Sequence, residues 1–232
     1  RWLSDWSSDV CSSDLKNSWY LQGSIVIGLM VGIVNYGMGN LWSVKKKLDR
    51  IKIDSLISDN WKDLKKCDRL ILPGVGHFSN AIAEIKRRDL WSYLDDEVVL
   101  NKKPILGICL GMQLMAKSSE EGDEAGFGWF DAEIIRFRIN DKLKYKVPQI
   151  GWNQIIIKKD NHLFKGVDLE TGFYFVHSFH IVCNDKSDIL NETTYEYPFV
   201  SAVKKGNITG VQYHPEKSHE AGEVLFANFL TE

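Results

Sequence analysis

The 232-residue sequence predicts one α/β domain: an open, mostly parallel sheet with helices on both faces and an added antiparallel strand portion. Three observations predict it. Short apolar runs stop at glycine or proline, as strands buried in parallel sheets do. In the first half these runs alternate with stretches whose apolar residues recur at three- and four-residue spacing. After Gly128 strand-like segments follow one another between turn residues, which extends a sheet begun as βα units by antiparallel strands.

Residues 1–15 read RWLSDWSSDVCSSDL, rich in Ser and Asp and without helix or strand period. Residues 1–29 are therefore expected to be an extraneous or disordered leader resembling translated adapter or linker sequence. Residues 30–232 are expected to form the domain, with Met30 as its native start. Met30 opens the apolar strand 31–34, and Asn40 is placed to cap a helix to Arg50 through Leu41, Val44 and Leu48. A buried strand is expected at 69–72, stopped by Pro73-Gly74. A helical region covers 79–99 with a break near Asp89, and 104–109 is a short apolar strand running into a helix at 111–117. Strands are expected at 132–137, 153–158, 172–176, 199–203 and 208–213, before an amphipathic helix at 220–230.

Composition removes several function classes. A formal net charge of -2 gives no basic stripe for nucleic acid, and Lys45, Lys46, Lys47, Lys102 and Lys103 read as solvated faces. Cys11, Cys67, Cys109 and Cys183 are widely spaced, with neither a C-x-x-C pair nor metal-ligand spacing, so reduced thiols in a cytoplasm are expected. Nothing calls for a metal or a cofactor. No apolar run approaches the ~20 residues that span a bilayer, and residues 24–30 lack the basic flank of a secretory signal.

Three segments carry chemistry. Gly107-Ile108-Cys109-Leu110-Gly111 is a strand–turn–helix elbow with cysteine as the apex residue. The glycines free the turn of Cβ atoms, and the following helix start favours a thiolate and offers N–H groups to an oxyanion. Alone, it reads equally well as a buried cysteine at a tight junction. His214-Pro215-Glu216 follows an apolar strand; residues two apart share a side, so Glu216 can accept one imidazole N–H and leave the other nitrogen as a base. Alone, it reads better as a surface ion pair. A cysteine elbow together with a distant H-x-E, each at a strand end, is far rarer than either. Leu72-Pro73-Gly74-Val75-Gly76 is a third glycine-rich strand end, placed to supply a second oxyanion donor, and otherwise an ordinary turn.

Further segments complete a resemblance: Asn35-Tyr36-Gly37-Met38-Gly39-Asn40, Gly151-Trp152-Asn153, Tyr174-Phe175-Val176-His177-Ser178 and Gln212-Tyr213-His214-Pro215-Glu216-Lys217-Ser218. With the elbow and the 72–78 loop they stand in order from Met30 to the C-terminus. The chain resembles class I (triad-type) glutamine amidotransferases, and within them the glutaminase subunit of imidazole glycerol phosphate synthase. The resemblance implies a flavodoxin-like α/β fold without cofactor. It implies that Cys109 attacks the glutamine amide, that His214 and Glu216 complete a triad, and that the Val75 and Leu110 N–H groups form the oxyanion hole. Gly74, Gly76, Gln113, Glu121, His177 and Ser178 would hold glutamine. Asn40, Gln149, Trp152 and Lys217 would face a (β/α)8-barrel cyclase that takes the ammonia for histidine biosynthesis.

One departure stands out: the sequence has Gln149 where the family usually has His, in Val147-Pro148-Gln149-Ile150-Gly151-Trp152-Asn153. The segment Gly126-Phe127-Gly128-Trp129-Phe130-Asp131-Ala132 also resembles paralogues beside sugar-aminating enzymes of surface-glycan synthesis. Two alternatives keep the triad: ammonia passed to such an enzyme, and a stand-alone γ-glutamyl hydrolase. A catalytically inactive binding subunit would leave the intact triad without a purpose.

Overall fold

The computed structural model describes residues 28–232, so the reading of 1–27 lies outside the described residues. In chain order β1 (Met30–Val34), α1 (Leu41–Arg50), β2 (Asp54–Ser58), α2 (Trp61–Leu64), β3 (Arg69–Gly74), α3 (Phe78–Arg87) and α4 (Leu90–Asp95) lead to β4 (Ile105–Cys109) and the short α5 (Leu110–Gln113). Then follow β5 (Ser118–Ser119), β6 (Glu124–Ala125), β7 (Ala132–Arg136), β8 (Gln149–Asn153) and β9 (Ile156–Ile157). The last elements are β10 (Phe173–His177), β11 (Phe179–Cys183), β12 (Ile189–Thr194), β13 (Pro198–Lys205), β14 (Ile208–Val211) and α6 (His219–Thr231).

The main sheet is ordered β2-β1-β3-β4-β14-β13-β11-β7-β5-β6. From β2 to β14 all pairings are parallel, and β13, β11 and β7 continue the sheet antiparallel. β8 and β10 form a separate antiparallel pair. This is the expected mostly parallel sheet with its antiparallel extension. Period-two alternation sets its faces: Leu70 and Leu72 enter the layer with Phe78, Ile82, Ile85 and Leu94 of α3 and α4. Ile71 between them enters the opposite layer with Val44 and Leu48 of α1 and Phe226 and Phe229 of α6. Both faces of the parallel strands are thus covered. Among the described residues no helix is long and apolar enough to cross a membrane.

Some expectations change. The break near Asp89 is present, with Asp89 in the left-handed region (φ 55°) between α3 and α4. The helix expected at 111–117 ends at Gln113, because the following loop takes its carbonyls: Phe127, Phe130 and Gly128 donate to Leu114, Met115 and Ala116. The strand expected at 153–158 lies instead at β8 and β9, interrupted where Asn153 bonds the Gln154 amide and the Thr194 carbonyl. β2, β11 and β12 were not expected; each carries polar or half-exposed positions that dilute the apolar signal. Asn40 precedes α1, but its side chain does not cap it.

Candidate active site

Three adjacent parallel strands end side by side, and each delivers one of the chemistry-bearing segments. Gly74 pairs with Cys109 across β3 and β4, and Val211 of β14 pairs with Ile108. The carboxyl ends of parallel strands are where such sheets place their sites. A larger hollow of about 290 Å³, lined by Arg69, Lys204 and Asn207, lies at the opposite ends of the same strands.

Cys109 sits at the apex with φ 54° and ψ -111°, a conformation that a non-glycine residue rarely adopts. The elbow holds because its neighbours are small: a Cβ on Gly111 would overlap the Leu72 carbonyl oxygen, and one on Gly74 would crowd the Tyr36 hydroxyl and the Gly111 amide. Cys109 Sγ is nearly buried, 3.8 Å from the Val176 carbonyl oxygen and 3.6 Å from Gln212 Nε2.

His214 and Glu216 lie beside it on the turn after β14. His214 Nδ1 is 2.7 Å from Glu216 Oε1, both side chains about 1% exposed, and His214 Nε2 is buried without a hydrogen-bond partner of normal geometry. The turn is stapled to β10: His214 N donates to Tyr174 O (2.8 Å), Tyr174 N donates to Ser218 Oγ (3.0 Å), and Ser218 Oγ donates to His214 O (2.6 Å). Burial opposes charging the imidazole, but the Cys109 charge and hydrogen bond, followed by Glu216, outweigh it and push His214 up to about 10. Burial likewise opposes charge on Glu216, yet the His214 hydrogen bond, seconded by Asn40, holds its carboxyl below the usual range.

A cleft of about 180 Å³ opens against the sulfur, lined by Gly76, Leu110, Gln113, Glu121, His177 and Ser178 among others. Glu121 Oε2 accepts from Phe78 N at the start of α3 (2.9 Å), which fixes its carboxylate at the rim. His177 Nδ1 bonds Phe179 O (2.8 Å), and burial pushes its pKa down to about 3, so this ring stays neutral. Val75 stands exposed at the mouth between Gly74 and Gly76, the latter at φ 111°.

The residues expected to face a partner divide. Trp152 is half-exposed and stacks on His219 at 4.8 Å, and the Lys217 ammonium lies 5.2 Å from the Tyr174 ring centroid. Gln149 is the exception: it is only 3% exposed and lies inward opposite His177 in the β8–β10 register, while its neighbour Ile150 points out. Strand alternation fixes this, so Ile150 and Trp152, not Gln149, present the surface. Asn40 is partly buried and donates from Nδ2 to Glu216 Oε1 (2.9 Å), a link to the triad that no spacing rule suggests. Gln212, to which the sequence assigns no role of its own, lies two residues before His214 and so on the same side of the chain.

The family description "Glutamine amidotransferase class-I" matches residues 33–232. The imidazole glycerol phosphate synthase subunit HisH 2 of Methanococcus maripaludis is 43% identical, with 87% of this chain and 98% of that protein covered. The subunit HisH of Wolinella succinogenes is 46% identical, with 86% and 98% covered. Among solved structures, PurLQS from Thermotoga maritima superposes with a TM-score of 0.68 at 17% identity, covering 88% of this chain and 98% of that one. A glutamine amidotransferase crystal structure gives 0.65 at 18% identity, covering 87% and 97%. Fold, site geometry and sequence agree: the chain belongs to the class I glutamine amidotransferases, on the branch of the HisH subunits of imidazole glycerol phosphate synthase.

Proposed function

We propose that this chain hydrolyses glutamine through Cys109 and passes the ammonia to the cyclase subunit of imidazole glycerol phosphate synthase, in the cytoplasm. The observation that carries the reading is the buried His214–Glu216 pair, 2.7 Å apart, against a cysteine held at φ 54° at the neighbouring strand end. Cys109 Sγ attacks the amide carbon of the glutamine side chain, and the Val75 and Leu110 N–H groups receive the oxyanion. His214, charged beside the thiolate, protonates the departing ammonia, and a glutamyl thioester remains. Water attacks the thioester, His214 takes its proton, and glutamate leaves with the thiolate restored. Glu216 holds the ring and balances its charge.

In the cleft, Glu121 suits the α-ammonium of glutamine by charge. Gln113, His177 and Ser178 offer neutral hydrogen-bonding groups to the rest of the amino-acid end, and Gly74 and Gly76 let the backbone approach. Outside, the exposed Ile150 and Trp152, with Lys217 and Asn40, form the face for the (β/α)8-barrel cyclase. The relatives' subunit names support that partner. Replacing Cys109 by Ala or Ser tests the reading in the presence of the cyclase: hydrolysis should fall by several orders of magnitude. Activity within about tenfold of the parent chain would overturn it.

A further inference from the structure

Beneath the cleft a chain of buried amides ends on the nucleophile. Gln113 Nε2 lies 3.1 Å from the Phe179 carbonyl oxygen and 3.1 Å from Gln212 Oε1, and Gln212 Nε2 lies 3.6 Å from Cys109 Sγ. Gln212 is fully buried and Gln113 nearly so. Side-chain amides are often ambiguous, because nitrogen and oxygen exchange on a flip. Here the backbone removes the ambiguity. The Phe179 carbonyl only accepts, so the end of Gln113 that meets it is the NH₂ group. That group also meets Gln212, whose facing atom is therefore the oxygen, and the NH₂ of Gln212 is left aimed at the sulfur.

We infer that Gln212 is a catalytic residue of this site, the hydrogen-bond donor that stabilises the Cys109 thiolate, with Gln113 as the positioning residue that fixes its orientation. The proposal rests on Cys109 being the nucleophile. A sulfur that accepts an N–H bond gains most when it is charged, because charge-assisted hydrogen bonds are the stronger kind. The Val176 carbonyl oxygen, 3.8 Å away, can accept the thiol hydrogen but offers nothing to a thiolate. The titratable groups around the sulfur are His214 on the β14 turn and Tyr36 after β1, with Glu121 and His177 across the cleft. Of these groups His214 supplies positive charge, and beside it Gln212 supplies an uncharged donor that persists whatever the protonation of the ring.

The test is the pH profile of Cys109 alkylation by iodoacetamide, quantified on the Cys109 peptide by mass spectrometry so that other cysteines do not count. Gln212→Met keeps the volume and removes the donor; Gln212→Glu places an acceptor against the sulfur. The midpoint should rise by about one pH unit in Gln212→Met, roughly tenfold in thiolate at fixed pH, and further in Gln212→Glu. A variant that melts within a few degrees of the parent chain yet keeps its midpoint overturns the proposal. Should neither variant fold, the unaltered protein decides: the Gln212 side-chain amide protons must titrate with the alkylation midpoint, and shifts independent of it overturn the proposal. Alkylation needs no turnover, so this result is separate from any failure of glutamine hydrolysis.

Discussion

Two buried histidines stand in one site with opposite protonation. His177 bonds only a backbone carbonyl through Nδ1, and burial lowers it to about 3; His214 meets Cys109 and Glu216, and their combined effect raises it to about 10. Such a split marks out the proton-carrying group from the neutral hydrogen-bonding one. It also fixes the sign of a test. A raised histidine stays charged until the pH climbs through its folded value, and Cys109 is the largest of the raising influences. In Cys109→Ala the largest raising influence is gone while burial and Glu216 remain, so the His214 ring should lose its proton at lower pH than in the parent chain. Nitrogen-15 NMR titration of the two chains reads this; a midpoint unchanged by loss of the thiol would mean that Glu216 alone sets the charge. Cys109, His214 and Glu216 were legible because each has a local spacing signature. Their protonation was not, since it depends on burial by residues far away in sequence. Neither was the Asn40–Glu216 bond, which joins positions 176 apart.

At the scale of elements, the site depends on how closely β3 and the β4–α5 elbow approach. Gly111 sits against the Leu72 carbonyl oxygen, and a backbone atom cannot swing aside as a side chain would. Gly111→Ala should therefore destabilise by about 1–3 kcal/mol, a fall in Tm of roughly 2–12 °C for a domain of this size. Glutaminase activity should drop as well, because the elbow carries Cys109. A thermal melt within a degree of the parent chain would show that the elbow has slack. The strands that carry the site were legible as short, almost wholly apolar runs, because β3, β4 and β14 are buried on both faces and only Thr209 interrupts them with a buried polar side chain. β12 escapes that pattern for the opposite reason: its Asn191 and Thr193 are fully buried but polar, satisfied by Tyr213 and Ser201, and polar residues in a core do not look like core in a sequence. The inward turn of Gln149 was missed because one residue of register decides which face a side chain takes.

At the scale of the molecule, the face proposed for the cyclase and the His214–Glu216 pair are physically joined. Asn40 touches Glu216, and the turn bearing Glu216 also carries Lys217 and the His219 ring under Trp152. Val75 stands exposed between Gly74 and the positive-φ Gly76, and glycine neighbours widen the range of backbone conformations open to its peptide. Docking of the cyclase is therefore expected to speed glutamine hydrolysis by roughly 10²–10³, the worth of one oxyanion donor brought into line. Steady-state assays with and without the cyclase and its acceptor substrate measure it, and a free chain as fast as the complex would remove the coupling. The central claim, that glutamine is opened by Cys109 in this cleft, is tested most directly by an electrophilic glutamine analogue followed by peptide mass spectrometry. One equivalent of label should appear on Cys109, excess glutamine should block it, and His214→Ala should slow it severely. Label on Cys67 or Cys183, or labelling of Cys109 that glutamine does not slow, would contradict the account.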